Sequence, residues 1–504
     1  KPCGTKIISV GIPSVFATNI FVIMGSITYL NPVTGIVGTT VTIKGNGFGT
    51  DSLIRIDFGT QETITTTITD STDGTFSTTF FVNTQVYGSQ IITVRQPGLD
   101  CLTTDTIVFF IIPKIIQVVP TFAQVGKPIT VIGNGFSVGS VTIQFGTHLS
   151  ITTATVDTTG TFSVTFLVST QIGGTGTAIT ASQGSILVST TALFTIKGDI
   201  ILITPPSGPV DPDSNITVAG TGYGNPGTPI AIDFEGMIPS LDGDSGISQN
   251  GTFSCWFTIN ADKPYGTRVI TAFSSEGGGY GPEIDTTTFF ITAKITRLEP
   301  ANGAYKITVV TIEGKGYEAG LVQIDFGTHQ TITTAIASLK GTFSTSFTID
   351  LQEEGTKVIT AKTSLDAWAT TIFLIKPTLS LISPSSGNVG NIVTIEGAGY
   401  QETESIYIDF GTSKTIATTV TSTDGTFSVT FVVDTQTIGL KVVTITGTST
   451  ASHINTTTFT IDQRISLVLP LSGPVGSKVT VWGDGYDYCS EPGPYNQVKI
   501  EFGT

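Results

Sequence analysis

One phrase of short motifs recurs six times in this chain, at intervals of about ninety residues. In its fullest copy it includes Ile382–Gly387, Val393–Ile395, Gly397–Tyr400, Asp409–Thr412 and Gly425–Ser428. The phenylalanine of its Phe-Gly motif marks the period, at Phe58, Phe145, Phe234, Phe326, Phe410 and Phe502. This spacing is too long for one turn of a solenoid and is typical of small domains in tandem. The chain is therefore expected to work as an array.

The copies at both ends are incomplete. The sixth copy stops at Glu501-Phe502-Gly503-Thr504, and residues 4–23 match the end of the fourth copy at 355–375. We expect a window on a longer array, with the end of a preceding repeat at 1–26 and the first half of a sixth at 462–504. Between them we predict five complete repeats, numbered first to fifth, at 27–111, 112–196, 197–291, 292–375 and 376–461.

Composition predicts an all-β fold. Threonine is abundant, charged residues make up 12% of the chain, and no segment has helical periodicity. No run of apolar residues approaches the roughly twenty that a membrane helix needs. The joints lack the Gly/Ser-rich stretches of flexible linkers, as at Ile375-Lys376-Pro377. We therefore predict a semi-rigid string of domains and no transmembrane segment in this window.

A single repeat is expected to fold as an Ig-like β-sandwich. The fifth copy contains about seven short alternating segments with turn signals every 8–12 residues, the pattern of that fold. Phe427 and Phe431 should face Phe410 in its core. We expect one phenylalanine to be the most buried aromatic residue of each complete repeat: Phe76, Phe162, Phe253, Phe343 and Phe427. The fold class is therefore a tandem array of Ig-like β-sandwiches with partial domains at both ends.

The charge excludes one class of partner and favours another. The formal net charge is −15, and the 23 Lys and Arg residues do not cluster. Nucleic-acid binding needs a basic surface, so we expect no nucleic-acid partner. An acidic, weakly charged surface suits an extracellular protein that binds divalent cations, and it equally serves solubility alone.

The cysteines do not belong to the repeat. They stand at Cys3, Cys101, Cys255 and Cys489, which are non-equivalent places, so each domain should fold without a disulfide of its own. One irregular disulfide or none is expected. Cys255 lies within a predicted strand and should be a small buried apolar group.

Enzyme chemistry is not expected. His148, His329 and His453 lack metal-ligand spacing, and no serine or cysteine stands in a nucleophile-elbow context. The acidic residue of the Phe-Gly motif, for example Asp57 or Asp409, should alternate outward on a strand. Paired-carboxylate catalysis needs two such groups at one site, and copies this far apart are a poor source.

Calcium is the one ligand that the sequence suggests, and no other cofactor is expected. The predicted ligands in the third repeat are Asp211, Asp213, Asp242 and Asp244. Asp70 and Asp73 in the first repeat form a similar cluster, and ordinary turn aspartates are the favoured explanation of each cluster. None follows the EF-hand spacing. Three sequons, at Asn215, Asn250 and Asn455, are candidate glycosylation sites, although such triplets arise by chance in a threonine-rich chain.

The opening stretch of each copy resembles the IPT/TIG family of Ig-like domains. The clearest example is Val468 to Tyr486, which contains Leu471-Ser472-Gly473-Pro474 and Gly483-Asp484-Gly485-Tyr486. Related stretches run from Asn31 to Phe48 and from Ser383 to Tyr400. The resemblance covers essentially the whole chain but lies in turn and core residues, so it specifies fold better than function. It implies part of a large exported prokaryotic protein: a surface-layer protein, an adhesin or a polysaccharide-handling envelope protein.

These observations lead to three hypotheses of function. The first is a structural subunit of a self-assembling surface layer (S-layer), outside the cell and associated with envelope glycans. The second is an adhesin or stalk that presents a binding domain outside this window. The third is a subunit of an extracellular filament or sheath. All three predict self-association or display at the cell surface.

Overall fold

The chain is built from strands. The computed structural model describes residues 1–98, 103–189, 193–224, 226–259, 262–274, 284–449, 453–487 and 498–503. All of its regular elements are β-strands, and these ranges contain no helix that could cross a membrane. The expected all-β class is confirmed.

The described residues form two compact units. Unit 1 comprises 1–205, 215–257 and 269–288, and unit 2 comprises 206–214, 258–268 and 289–504. The first and second repeats lie in unit 1, and the fourth and fifth lie in unit 2. Residues of the third repeat fall in both units.

The chain begins with an antiparallel hairpin. Its strands are β1 (Gly4–Ile12) and β2 (Val15–Ile23). They correspond in sequence to the last two strands of a complete repeat, as expected. Most of their side chains are exposed.

The first repeat shows the full strand order. Strands β3 to β10 are Ser26–Asn31, Thr34–Gly35, Thr40–Asn46, Leu53–Phe58, Gln61–Ile68, Phe76–Phe81, Gly88–Gln96 and Thr103–Ile111. One sheet has the order β3-β5-β8, and the other has the order β4-β10-β9-β6-β7. The short strand β4 pairs parallel with β10, whereas the other pairs are antiparallel. Two such sheets are the arrangement of an Ig-like sandwich.

The second repeat has the same plan with interrupted strands. Strands β11 to β20 are Lys114–Val119, Phe122–Gln124, Pro128–Asn134, Gly139–Phe145, His148–Val156, Phe162–Leu167, Gly174–Thr177, Ile179–Gln183, Ile186–Ser189 and Phe194–Lys197. Its sheets have the orders β11-β13-β16, β12-β20-β17 and β15-β14-β18-β19.

The third repeat carries an additional strand. Strands β21 to β28 are Asp199–Thr204, Ser207–Pro209, Asn215–Thr221, Ile230–Phe234, Asp242–Asp244, Phe253–Thr258, Gly266–Ser274 and Ile284–Thr292. The insertion after Phe234 supplies β25, which pairs antiparallel with β26. The insertion therefore widens a sheet.

The fourth and fifth repeats return to the plan of the first. Strands β29 to β36 are Lys294–Glu299, Asn302–Gly303, Val309–Lys315, Gly320–Phe326, His329–Ala337, Phe343–Thr348, Gly355–Lys362 and Trp368–Ile375. Strands β37 to β44 are Thr378–Ser383, Ser386–Asn388, Ile392–Ala398, Ser405–Phe410, Ser413–Val420, Phe427–Val432, Gly439–Gly447 and Ile454–Asp462. Each repeat has a three-stranded and a five-stranded sheet. A final pair, β45 (Arg464–Leu469) and β46 (Thr480–Asp484), begins the sixth copy.

Period-two alternation builds the cores. In β5, Val41 and Ile43 are buried while Thr40 is exposed, because successive side chains on a strand point to opposite faces. The first, second, fourth and fifth repeats each enclose a separate cluster of buried Val, Ile and Phe side chains. In the third repeat, the rings of Phe234 and Phe257 lie 6.1 Å apart.

One expectation about these cores is wrong in all five repeats. Another aromatic side chain of the same repeat is fully buried, whereas 3–5% of the surface stays exposed at Phe76, Phe162, Phe253, Phe343 and Phe427. Phe76 keeps 5% of its surface exposed, whereas Phe58 is fully buried. Phe58 lies between Phe80 and Phe109, with ring centroids 5.5 and 5.7 Å away. Phe76 begins its strand and packs edge-on against Phe48, 5.4 Å away. Strand alternation identifies the face that a side chain occupies, but it does not give the depth along the strand.

Candidate functional site: the junctions between repeats

The same backbone hydrogen bond links neighbouring repeats at five places. In the first of the complete-repeat pairs, the Tyr87 amide donates to the Phe136 carbonyl oxygen at 3.2 Å. The equivalent donors are Cys3, Gly173, Tyr265 and Glu354, and their acceptors are Phe48, Tyr223, Tyr317 and Tyr400, at 3.1–3.3 Å. We call each set of contacts around this bond a junction and name it by the repeats it joins, so that Tyr87 lies in the 1/2 junction.

A turn glycine makes each junction close-fitting. Gly160, in the Gly-Thr-Phe-Ser motif, accepts a hydrogen bond from the Phe136 amide at 3.0 Å. Its φ is +82°, and a Cβ there would lie 2.6 Å from the Gln85 carbonyl oxygen of the preceding repeat. Glycine is required for both reasons. The equivalent glycines are Gly74, Gly251, Gly341 and Gly425, with φ of 69–77°. A Cβ would lie 2.6 Å from the preceding repeat at Gly251 and Gly341, 3.1 Å at Gly425, and 3.3 Å from Pro2 at Gly74.

A glutamine ties the junction loop to the Phe-Gly turn. In the fourth repeat, Gln352 Nε2 donates to the Phe326 carbonyl oxygen at 2.9 Å, and its Oε1 accepts from the Thr328 amide at 3.2 Å. Gln85 and Gln436 make the same two bonds in the first and fifth repeats. The two motifs that mark the repeat, Phe-Gly and Gly-Thr-Phe-Ser, therefore both support the junctions.

The covalent connections at the junctions are short. One or two residues separate the last strand of each repeat from the first strand of the next, as between β36 and β37. The chain and the junction bond thus hold each pair of neighbours at two separate points. The semi-rigid string expected from the sequence stays a prediction.

The acidic residue of the Phe-Gly motif has a local structural role. Asp57 Oδ1 accepts from the Thr63 amide at 2.9 Å, and Oδ2 forms an ion pair with Arg95. Thr63 has a φ of +54°, so the carboxylate stabilises a left-handed residue in the turn. Asp57 alternates with the core residues Ile56 and Phe58, as expected, but it is buried. Asp409 does the same for Thr415 at 2.8 Å.

The predicted calcium ligands of the third repeat lie in two different settings. Asp211 pairs with Lys294 and accepts from the Asp213 amide at 3.0 Å, and the Lys294 ammonium lowers the pKa of Asp211. Asp213 is exposed. Asp242 is exposed on β25, and Asp244 ends that strand opposite Ser254. In the described ranges, no three His, Cys, Asp or Glu side chains are grouped to hold a metal ion. The calcium site remains a prediction.

The acidic cluster of the first repeat forms a turn. Asp70 Oδ1 accepts from the Thr72 amide at 2.7 Å and from the Thr72 hydroxyl, which lowers the pKa of Asp70. Asp73 accepts from the Thr75 amide at 3.0 Å. These carboxylates stabilise their own loop.

The three sequons differ in accessibility. Asn215 and Asn250 are exposed. Asn455 is half-buried, and its Nδ2 donates to the Tyr400 hydroxyl at 2.8 Å. A glycan on Asn455 would require breaking this bond, whereas the first two positions are open.

Two of the four cysteines, Cys3 and Cys255, lie in the described residues. Cys255 is a free buried thiol, as expected, and burial raises its pKa to about 11. Cys3, the donor of the first junction, forms a disulfide. Cys101 and Cys489 lie outside the described residues.

Sequence reasoning missed one side chain at the 4/5 junction. His453 was expected to stand alone, but its Nε2 lies 2.6 Å from Glu354 Oε1 of the preceding repeat. Since only the fifth repeat has a histidine here, no repeated motif pointed to it. The other two histidines bond within their own repeats, His148 with Ser169 at 3.1 Å and His329 with Asp350 at 2.8 Å.

Comparison with known proteins gives no family assignment. No protein-family model and no curated protein matches the chain. Among solved structures, the eight N-terminal Ig domains of Down Syndrome Cell Adhesion Molecule align with 12% identity over 91% of this chain and 64% of that one, with a TM-score of 0.19. A tetra-tandem repeat from the extending region of a large adhesion protein aligns with 14% identity over 69% and 98%, with a TM-score of 0.19. The Sidekick-1 immunoglobulin domains align with 9% identity over 85% and 96%, with a TM-score of 0.16. TM-scores this low do not assign a function to this chain. The Ig-like assignment rests on the strand order described above.

Proposed function

We propose that this chain is a structural protein of the cell surface, a subunit of a self-assembling surface layer made from Ig-like repeats. The observation that carries the proposal is the junction bond, repeated with the same geometry at five places. A protein that only needed flexible spacing between domains would have no use for it. A subunit of a layer needs such a bond, because its domains must keep fixed positions relative to neighbouring molecules.

An extracellular location is supported by the chemistry of the chain. Cys3 forms a disulfide, and disulfides persist in oxidising compartments outside the cytosol. The IPT/TIG resemblance of the opening stretches points to the same location. The low charge and the threonine-rich strand faces suit lateral contact between copies, because hydroxyl groups add hydrogen bonds without charge repulsion.

The third repeat is the proposed place for contacts between subunits. Its insertion forms β25, and Asp242 on that strand is exposed to solvent. Cations bound there, with Asp244, would neutralise repulsion between copies of a chain with a net charge of −15. Envelope glycans are also proposed as partners, because the IPT/TIG resemblance implies an exported envelope protein.

The deciding experiment is electron microscopy of the native cell surface, with antibodies raised against this chain. A two-dimensional lattice that the antibodies decorate is expected. Isolated fibres carrying a terminal domain would favour the adhesin or stalk, since the same junctions would stiffen a stalk. Bundled filaments would favour the filament or sheath subunit, and label inside the cell would contradict all three.

A further inference from the structure

The 4/5 junction contains an ion pair that crosses between two repeats. Glu354 lies two residues after Gln352 in the fourth repeat, and His453 precedes β44 in the fifth. Their side chains are 15% and 9% exposed, and Nε2 lies 2.6 Å from Oε1. At the equivalent of Glu354, the other junctions have Cys3, Tyr87, Gly173 and Tyr265, none of which carries a carboxylate.

A second carboxylate faces the same imidazole. Glu404 Oε1 lies 3.7 Å from His453 Nδ1, and the Glu404 side chain is 2% exposed. Glu404 is fixed in place, because its oxygens accept from the backbone amides of Ser449 at 2.8 Å and Gln401 at 3.1 Å. His453 therefore lies between two carboxylates, one from each repeat.

The other contacts of the ring that involve described residues are with uncharged side chains. The Ser449 hydroxyl lies 2.8 Å from Nδ1. The Tyr400 ring is 6.4 Å away, and burial raises the pKa of Tyr400 to about 12, so it stays neutral. Beside Glu354 in the sequence, Glu353 pairs with Lys357, with 3.4 Å between Oε1 and Nζ. A proton held by the His453–Glu354 pair would offset part of the negative charge of the two carboxylates.

Loss of one proton changes the charge without breaking the hydrogen bonds. A neutral ring can still donate from Nε2 to Glu354 and accept at Nδ1 from Ser449. Two carboxylates then face a neutral ring, and like charges in a poorly solvated place repel each other. Glu354 Oε2 is also buried without a hydrogen-bond partner among the described residues, so its ionised form is costly there.

We propose that the 4/5 junction is a pH-sensitive latch, closed while a proton is bound at the His453–Glu354 pair and loosened when that proton leaves. The sign is consistent with Glu354, whose pKa is raised by burial above its ordinary 4.5. A raised pKa contributes stability below the ordinary value and loses it as pH rises through the raised value. Acid therefore closes this junction and rising pH loosens it.

The test is hydrogen exchange of the full chain at about pH 5.5 and about pH 7.5, corrected for intrinsic exchange rates. The junction bond supplies an internal comparison, because Glu354, Tyr87 and Tyr265 donate the same backbone bond. We expect protection of the Glu354 amide to fall about tenfold over this range, because the pair loses its proton there. The amides of Tyr87 and Tyr265 should change less than about twofold.

Two variants separate the latch from a general effect of pH. Glu354→Gln keeps an oxygen for His453 and removes the charge, so its amide should lose the pH response. His329→Gln removes an exposed histidine paired with Asp350 within the fourth repeat, and should leave the response unchanged. An equal pH response at Glu354 and Tyr87, or a response that survives in Glu354→Gln, would overturn the proposal. Protection of the Ile445 amide in β43 shows that the fifth repeat is folded. If Glu354→Gln loses that protection, His453→Gln is tested in its place and should likewise abolish the pH response of the Glu354 amide.

Discussion

The amide of Tyr87 donates to the carbonyl oxygen of Phe136 at 3.2 Å, across the boundary between two repeats. Phe136 in turn receives its own hydrogen bond from within the second repeat, because its amide donates to Gly160 at 3.0 Å. The backbone of one residue, Phe136, thus connects the first repeat to a turn of the second. Because the pattern recurs at each junction, the predictions below concern the array as well as single domains.

The close fit at Gly160 predicts a specific loss on substitution. Gly160→Ala places a Cβ 2.6 Å from the Gln85 carbonyl oxygen, in addition to the cost of a left-handed alanine, about 1–2 kcal/mol. Gly184→Ala is the matched control, because Gly184 has a φ of +59° and open space around its Cβ. Hydrogen exchange should show loss of Tyr87 protection in Gly160→Ala alone. Equal loss in the two variants would contradict the close fit.

The buried tyrosines at the junctions predict opposite effects of one substitution. Tyr317 and Tyr400 are both fully buried, but the Tyr317 hydroxyl has no hydrogen-bond partner among the described residues, and the Tyr400 hydroxyl accepts from Asn455. Tyr317→Phe should be neutral or stabilise by about 1 kcal/mol, whereas Tyr400→Phe should destabilise by about 1 kcal/mol. Urea unfolding followed by hydrogen exchange in β35 and β43 measures each repeat. Destabilisation of the same size in both would show that Tyr317 has a partner.

The junction glutamine predicts a stability effect within one repeat. Gln352→Ala leaves the Phe326 carbonyl oxygen and the Thr328 amide without this partner, at a cost of about 1–3 kcal/mol. Gln330→Ala, at an exposed position of the same repeat, should change stability by less than about 0.5 kcal/mol. The free energy of unfolding from urea titrations distinguishes them. Indistinguishable values for the two alanine variants would rule out a supporting role for Gln352.

The proposed cation contact predicts sensitivity to chelation. Native assemblies treated with excess chelator should disperse, and the double variant Asp242→Asn with Asp244→Asn should fail to assemble at any calcium concentration. Asp424→Asn, which removes an exposed turn carboxylate from the fifth repeat, is the control and should assemble normally. Sedimentation and electron microscopy measure assembly. Assemblies that stay intact in chelator would eliminate the cation part of the proposal.

Much of the fold could be predicted because alternation and turn residues are local signals. Val393 and Ile395 around Thr394 identify a strand and its buried face without knowledge of the rest of the molecule. The short second strand of each repeat was not predicted, since it depends on a parallel partner about seventy residues away, as β38 does on β44. Its two or three residues carry no alternation that could reveal it.

The junctions were harder to predict than the domains. The glycines of the repeated motifs were interpreted as turn residues, and Gly160 does adopt a turn dihedral. Its second constraint, the approach of Gln85 from the preceding repeat, is a contact between domains that one repeat cannot reveal. Gln85 itself recurs with Gln171, Gln352 and Gln436, and this spacing was the signal that could have identified the junction loop. A histidine at the position of His453 occurs in the fifth repeat alone, so no repeated spacing identified it.

The central claim is that the junctions fix the orientation of neighbouring repeats, and a distance distribution tests it most directly. Spin-labelled non-canonical amino acids at the exposed positions Ile68 and Leu149, in the full chain, report across the 1/2 junction. Pulsed electron paramagnetic resonance should give one narrow distance peak, which broadens in Gly160→Ala and stays narrow in Gly184→Ala. A broad distribution in the unmodified junction, no wider in Gly160→Ala, would show that the repeats move independently and would contradict the account.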